Sequence, residues 1–251
     1  MKLEDLTRGV GATQLLYLDD SYLKETTCKI LKMEPDDRKS AYLILDKSIF
    51  HPKSGGQPSD KGRILSDAAV FEVRKVMLAG GVDVHWGKYI QGTPQIGPAK
   101  IEIEWDPRYR CMRKHTAAHL FDHCLATVLG ARVETTDSWV GEESYIGYRG
   151  ELPPIEKLRE AEVMENQLIA EGGRVTSQVM TREEALLSSS DAPNLTRLPN
   201  GTHLRVVTIE GCHGIPCGGT HLRDIREIVK LNLKTPEALA GGFRVHFDIA
   251  P

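Results

Sequence analysis

Histidine recurs at every fourth place in the stretch His115-Thr-Ala-Ala-His119-Leu-Phe-Asp-His123. This spacing restricts the fold more than any other feature of the chain. Residues four apart lie on one side of an α-helix, so a helix here sets His115 and His119 side by side. Each further step of four turns the direction by about 40°, which swings His123 about 80° away from His115. With nine histidines in 251 residues, chance supplies about 0.3 pairs at this spacing; the stretch holds two, sharing His119. Far along the chain, residues 212–221 read Cys-His-Gly-Ile-Pro-Cys-Gly-Gly-Thr-His, with Cys217 and His221 again four apart. Pro216, Gly218 and Gly219 make that stretch a loop. Two imidazoles from a helix and a thiol–imidazole pair from a loop are a donor set for zinc, which binds such ligands tetrahedrally. The chain must then fold back on itself to bring the two together. Spacing alone also admits Cys111, four before His115, and His213, four before Cys217, besides His123. The competing reading is a group of polar residues at the edge of a core. A helical zinc peptidase needs glutamate directly after the first histidine, and Thr116 stands there.

A metal-binding thiol requires a reducing setting. Five cysteines are an odd number and too few for a disulfide framework, which points to free thiols and a cytoplasmic protein. The opening residues, MKLEDLTRGV, carry acidic groups where a signal peptide has its apolar stretch. No run approaches the roughly 18 apolar residues of a membrane helix. A net charge of -3 leaves any nucleic-acid binding to local patches.

Up to about residue 106 the chain reads as short strands between Gly, Pro and Asp turns: ETTCKILKM, SAYLILD, FEVRKVML, VDVHWG and KIEIEW, with LSDAAVFEV opening as a turn. Such a run suggests a barrel or a sandwich. The character changes at Asp106-Pro107, a helix cap followed by a first-turn proline, and Gly130 suits the end of that helix. A second helix is expected over 154–171, with Ile155, Leu158, Leu168 and Ile169 on its inner side. Thr181 and Glu184 form a capping-box pattern. Strands RVTSQVM, HLRVVTI, EIVKLNL and GFRVHFDI follow, and 188–202 is a loop. Mixed helices and strands make this half α+β.

HTAAH followed by CGGTH resembles the editing domain of alanyl-tRNA synthetase and the free-standing AlaX proteins. FHPKSGGQPSDKG (50–62) resembles the glycine-rich segment preceding that domain in medium-length AlaX proteins, and GGFRVHFDI resembles the family's closing strand. The resemblance implies an α+β chain: a translation-protein-like β-barrel over 1–106, then a two-layer editing domain of the threonyl/alanyl-tRNA synthetase type over 107–251. It implies a carboxylic ester hydrolase that removes serine, and also glycine, from mischarged tRNA(Ala). Small amino acids are poorly separated by binding alone, so a second hydrolytic site improves accuracy. No aminoacylation domain fits beside both domains, which favours a free-standing editor; a monomer is the expected state.

Carried over by position, one zinc ion falls to His115, His119, Cys217 and His221, with His115 and His119 also at the catalytic centre. Four protein ligands leave no open position for water. Thr136, or Thr135 if the alignment slips, would meet the serine hydroxyl and leave alanine's methyl unpaired. Gly55, Gly56 and Gln57 would approach the substrate, with Asp60 touching it or bracing the loop. The basic group Arg108, Arg110, Arg113 and Lys114 would meet tRNA phosphates. Lys53 and Ser54 depart from an acidic residue and a glycine in the family, and Arg226 stands at a glycine position. Two rivals are a zinc hydrolase of another ester and a non-catalytic tRNA-binding module with structural zinc.

Overall fold

A computed structural model describes residues 3–67 and 69–251. Met1 and Lys2, at the head of the stretch read as lacking a signal peptide, and Ala68, in the turn expected within 65–73, lie outside the described residues; Asp67 is in a turn. The chain divides into two compact units, one of residues 1–54 and 58–110, the other of residues 55–57 and 111–251.

The first unit opens with a short helix, α1 (Leu3–Thr7), and is built on six antiparallel strands: β1 (Glu25–Pro35), β2 (Ser40–Leu45), β3 (Gly62–Ser66), β4 (Ala69–Ala79), β5 (Val82–Gln91) and β6 (Gly97–Ile103). They close into a barrel in the order β1-β2-β5-β4-β3-β6, so a barrel and not a sandwich forms. Alternation drives it: Ala69, Phe71 and Val73 of β4 point inward while their neighbours are less buried. Ile30, Leu43, Leu45, Ile64, Phe71, Val76 and Ile101 fill the interior. Closure leaves no sheet edge to pair with another chain. The sequence had shown no strand at 62–66. Gly62 lies so close to the Glu102 carbonyl and Ile103 that a Cβ would collide with them.

Helix α2 (Trp105–Leu129) begins two residues before Pro107, so Trp105 is helical and not the end of a strand. Its residues up to 110 group with the first unit and those from 111 with the second. Gly130, at φ +63°, ends it in the left-handed conformation expected of a C-terminal cap.

In the second unit, β7 (Thr135–Trp139), β8 (Ser144–Arg149), α3 (Ile155–Glu171), β9 (Val175–Thr181), α4 (Arg182–Ser188), β10 (His203–Ile209), β11 (Ile215–Pro216), β12 (Leu231–Leu233), β13 (Glu237–Leu239) and β14 (Gly242–Ile249) follow. One sheet runs β12-β14-β8-β7, with β13 also on β14; a second runs β9-β10-β11. The inner stripe of α3 is Leu158, Ala161, Glu165 and Ile169; Ile155, expected inside, is 44% exposed. The capping box at Thr181 and Glu184 is formed.

EIVKLNL is a strand only over Leu231–Leu233, because Ile225–Ile228 form a 3-10 turn first. Val229 then takes φ 71°, ψ −62°, and the Lys230 N–H donates to the Ile228 carbonyl at 3.0 Å. This is a three-residue γ-turn, strained for a β-branched residue. Arg226 pairs with Asp224 at 2.6 Å and lies against Gly172. Mixed α/β architecture with a six-stranded closed barrel is thus established. Among the described residues, no helix is long and apolar enough to cross a membrane.

Candidate metal centre

The helical spacing acts as expected: His115 and His119 sit one turn apart on α2, their ring centroids 5.0 Å apart. The loop after β11 brings His221 to 4.3 Å from the His115 ring and 4.5 Å from the His119 ring. One donor atom from each of His115, His119, Cys217 and His221 lies within 4.8 Å of all the others. Cys217 Sγ is 3.5 Å from His115 Nε2 and 3.4 Å from His221 Nε2. Zinc–sulfur and zinc–nitrogen bonds of about 2.3 and 2.0 Å at a tetrahedral angle give an edge of about 3.5 Å. The donor set, its burial and these edges fit a zinc-class ion.

The surroundings fix which nitrogen each ring turns inward. His115 Nδ1 faces Gln57 Oε1 at 3.1 Å, and His221 Nδ1 faces Thr116 Oγ1 at 3.2 Å. Gln57 Oε1 can only accept, so His115 Nδ1 carries its proton outward and its Nε2 lone pair points to the centre, the usual outer-partner arrangement of metal-bound histidine; Thr116 Oγ1 is able to accept from His221 in the same way. Gln57 is held in turn: Oε1 accepts from the Thr220 N–H at 3.1 Å and Nε2 donates to Thr220 Oγ1 at 2.8 Å. Thr116 Oγ1 also accepts from the Leu222 N–H at 3.1 Å. Burial keeps His119 far below its ordinary pKa, with His115 and Arg205 adding to the effect. Its lone pair is therefore free at neutral pH. Burial pushes the Cys217 thiol up, opposed by the Gly219 N–H and by Arg205. Arg205 also donates to the carbonyls of Cys217 and Gly219 at 3.0 and 3.1 Å, bracing the loop. Gly219 must be glycine for space, since a Cβ there would collide with the His115 ring.

Other expected site residues have different neighbours. Gln57, read as meeting substrate, is 1% exposed and spends both amide atoms on His115 and Thr220. Gly56, at φ +79°, packs so that a Cβ would strike the Ser138 carbonyl and Oγ, and its own carbonyl accepts from the Val140 N–H at 2.9 Å. Gly55 has open space around it. Arg113 and Lys114, expected at phosphates, are taken up by the fold. The Arg113 guanidinium donates to the carbonyls of Glu227, Ile228 and Ala250 at 2.9, 2.8 and 2.6 Å, clamping the strained γ-turn. Lys114, 3% exposed, bonds the Gly141 carbonyl at 2.9 Å and Asp248 at 3.1 Å. Arg108 is buried against Asp60 and donates to the Ser21 and Ile49 carbonyls. Asp60 thus braces the loop through Arg108 and the His51 N–H. Arg110 alone of the basic group is exposed.

Thr136 is exposed on β7, where Oγ1 donates to Asp137 Oδ1 at 3.1 Å; Thr135 is buried and donates to the Pro193 carbonyl at 3.2 Å. Cys111, His123 and His213 lie outside the four-residue group. The sequence reading missed the roles of Gln57 and Thr116. Thr116 was legible in part, since it follows His115 directly on the helix.

The model of tRNA synthetases class II (A) matches residues 14–108. The alanyl-tRNA editing protein AlaX-M of Methanosarcina barkeri is 34% identical over 227 residues, covering 86% of this chain and 90% of the relative. Its counterpart in Methanosarcina acetivorans is 33% identical over 235 residues, covering 88% and 92%. The alanine–tRNA ligase of Archaeoglobus fulgidus is 32% identical over 248 residues; this chain aligns over 95% of itself but spans only 26% of that ligase. At this identity over nearly the full length of the editing proteins, the chain belongs to the AlaX-M family of alanyl-tRNA editing proteins.

Proposed function

We propose that this chain hydrolyses the ester linking serine, and also glycine, to tRNA(Ala), with one zinc ion held by His115, His119, Cys217 and His221. The observation that carries the proposal is the convergence of these four donors from a helix and a loop a hundred residues apart. The outward nitrogens of His115 and His221 already have hydrogen-bond partners. The relatives, which are alanyl-tRNA editing proteins, support an editing reaction. A bound zinc ion supplies Lewis acidity toward the ester carbonyl.

This chain's own residues set the rest. His115 and His119 hold the centre on a rigid helix, while Gln57 and Thr116 fix the imidazole orientation. Thr136 offers an exposed hydroxyl that donates to Asp137 Oδ1 and keeps lone pairs to accept from a serine hydroxyl, a bond that alanine's methyl cannot make. Gly55, open above its Cα, admits the substrate's end, and Arg110 offers a free charge to a phosphate. The editing activity belongs to residues 107–251, a two-layer domain of the threonyl/alanyl-tRNA synthetase type, joined by residues 55–57, and the rest of residues 1–106 is a translation-protein-like barrel. The protein acts as a monomer in the cytoplasm.

The test is deacylation of Ser-tRNA(Ala), Gly-tRNA(Ala) and Ala-tRNA(Ala), with and without a chelator. Serine and glycine release that stops on chelation supports the proposal. No release from any of the three by zinc-loaded protein refutes it and favours a binding module with structural zinc.

A further inference from the structure

The two elements that deliver the four donors carry a second set one step further along. His123 follows His119 by one helical turn, about 6 Å of rise, and His213 precedes Cys217 by the same four residues. Because the loop runs against the helix, the two pairs fall beside each other: the His123 and His213 ring centroids are 6.4 Å apart. Asp191, from the turn after α4, places Oδ2 3.5 Å from His213 Nε2. These side chains line a cavity of about 270 Å³ together with Asp122, Thr127 and Arg132. Asp122 stands with Oδ1 accepting from Tyr148 Oη at 2.6 Å.

We propose that His123, His213 and Asp191 form a second site for a divalent transition-metal ion of the zinc class, weaker than the first. Two imidazoles and one carboxylate suit such ions, whereas magnesium and calcium seek mostly oxygen donors. Burial, then the neighbouring His213, holds His123 below its ordinary range, so its lone pair is available at neutral pH. The 6.4 Å ring separation exceeds the 4.3–5.0 Å of the first group, so the donors must draw together on binding. That movement is easy, because the His213 and Asp191 side chains are 61% and 55% exposed. Its cost, with one donor fewer, makes the site the weaker of the two. A bound ion would tie the 188–202 loop to α2, and that loop's Pro193 carbonyl accepts from the Thr135 N–H at 2.9 Å, next to Thr136.

The test is zinc titration of the metal-free full chain by calorimetry, with hydrogen exchange followed over residues 188–202. The wild type is expected to take two ions, the second about tenfold or more weakly. His213→Asn and Asp191→Asn, both at exposed positions, should abolish the weaker event and the protection it brings to 188–202. Cys217→Ser should weaken the tighter event and leave the weaker one unchanged. A single ion per chain up to millimolar zinc overturns the proposal, as does a second event untouched by His213→Asn. Loss of deacylase activity does not bear on it, since the readouts are stoichiometry and exchange.

Discussion

Replacing Gln57 by leucine tests whether the metal centre depends on its outer partners. Leucine keeps roughly the volume but removes three hydrogen bonds: those of Oε1 with His115 Nδ1 and the Thr220 N–H, and that of Nε2 with Thr220 Oγ1. The site is 1% exposed, so water cannot replace them. Each buried donor left without a partner costs about 1–3 kcal/mol. The Thr220 term weakens the protein with or without metal. The His115 term acts on the metal, because the ring loses the acceptor that holds Nε2 toward the centre. Losing such a partner reduces metal affinity about 10–100-fold, or about 1.4–2.7 kcal/mol. Zinc affinity is read by competition with a chromophoric chelator, and urea unfolding of the metal-free protein separates the two terms. Gln57→Glu keeps an acceptor for His115, and the Thr220 hydroxyl can turn to donate to it, so affinity should stay within a few-fold of the wild type. A folded Gln57→Leu protein that binds zinc as tightly as the wild type refutes the reasoning.

Gly219→Ala should lower zinc affinity, or stability by about 1–3 kcal/mol, because the new methyl meets the His115 ring; wild-type values for both would show that the loop can yield. Thr136→Val should keep zinc content and lose the preference for Ser-tRNA(Ala) over Ala-tRNA(Ala); unchanged selectivity removes Thr136 from the role. Asp83, fully buried in the barrel, has its carboxyl pushed up to about 7, chiefly by burial. The native state then keeps a proton that the unfolded chain releases near pH 4. Stability falls as pH rises from about 4 to about 7 and stays reduced above, by up to about 4 kcal/mol. Asp83→Asn should therefore gain over the wild type in urea midpoint between pH 5 and pH 8; a gap equal at both would contradict the assignment.

Five of the six barrel strands, the capping box at Thr181, the end of α2 at Gly130 and the closing strand 242–249 were legible because period and caps are local properties. The two halves of the donor set were legible for the same reason, each being an i, i+4 pair on one element. Their convergence was inferred from donor chemistry and from the resemblance, since no local energy joins residues a hundred positions apart. Arg108, Arg113 and Lys114 looked like a solvated helix face because charge near a helix start is usually exposed. What buries them are partners far along the chain: Asp60 for Arg108, the Glu227–Ile228 carbonyls for Arg113, and Asp248 for Lys114.

Sequence by itself determined most of the segments that turn into helix or strand and which side chains have the chemistry to hold a cation, because backbone preference and side-chain type act within a few residues. Tertiary structure alone decided that six strands close on themselves, that Gln57 is bonded to an imidazole, and that three cations are enclosed by the fold. Those outcomes depend on which distant groups share a desolvated space, where an unmatched charge or donor costs several kcal/mol.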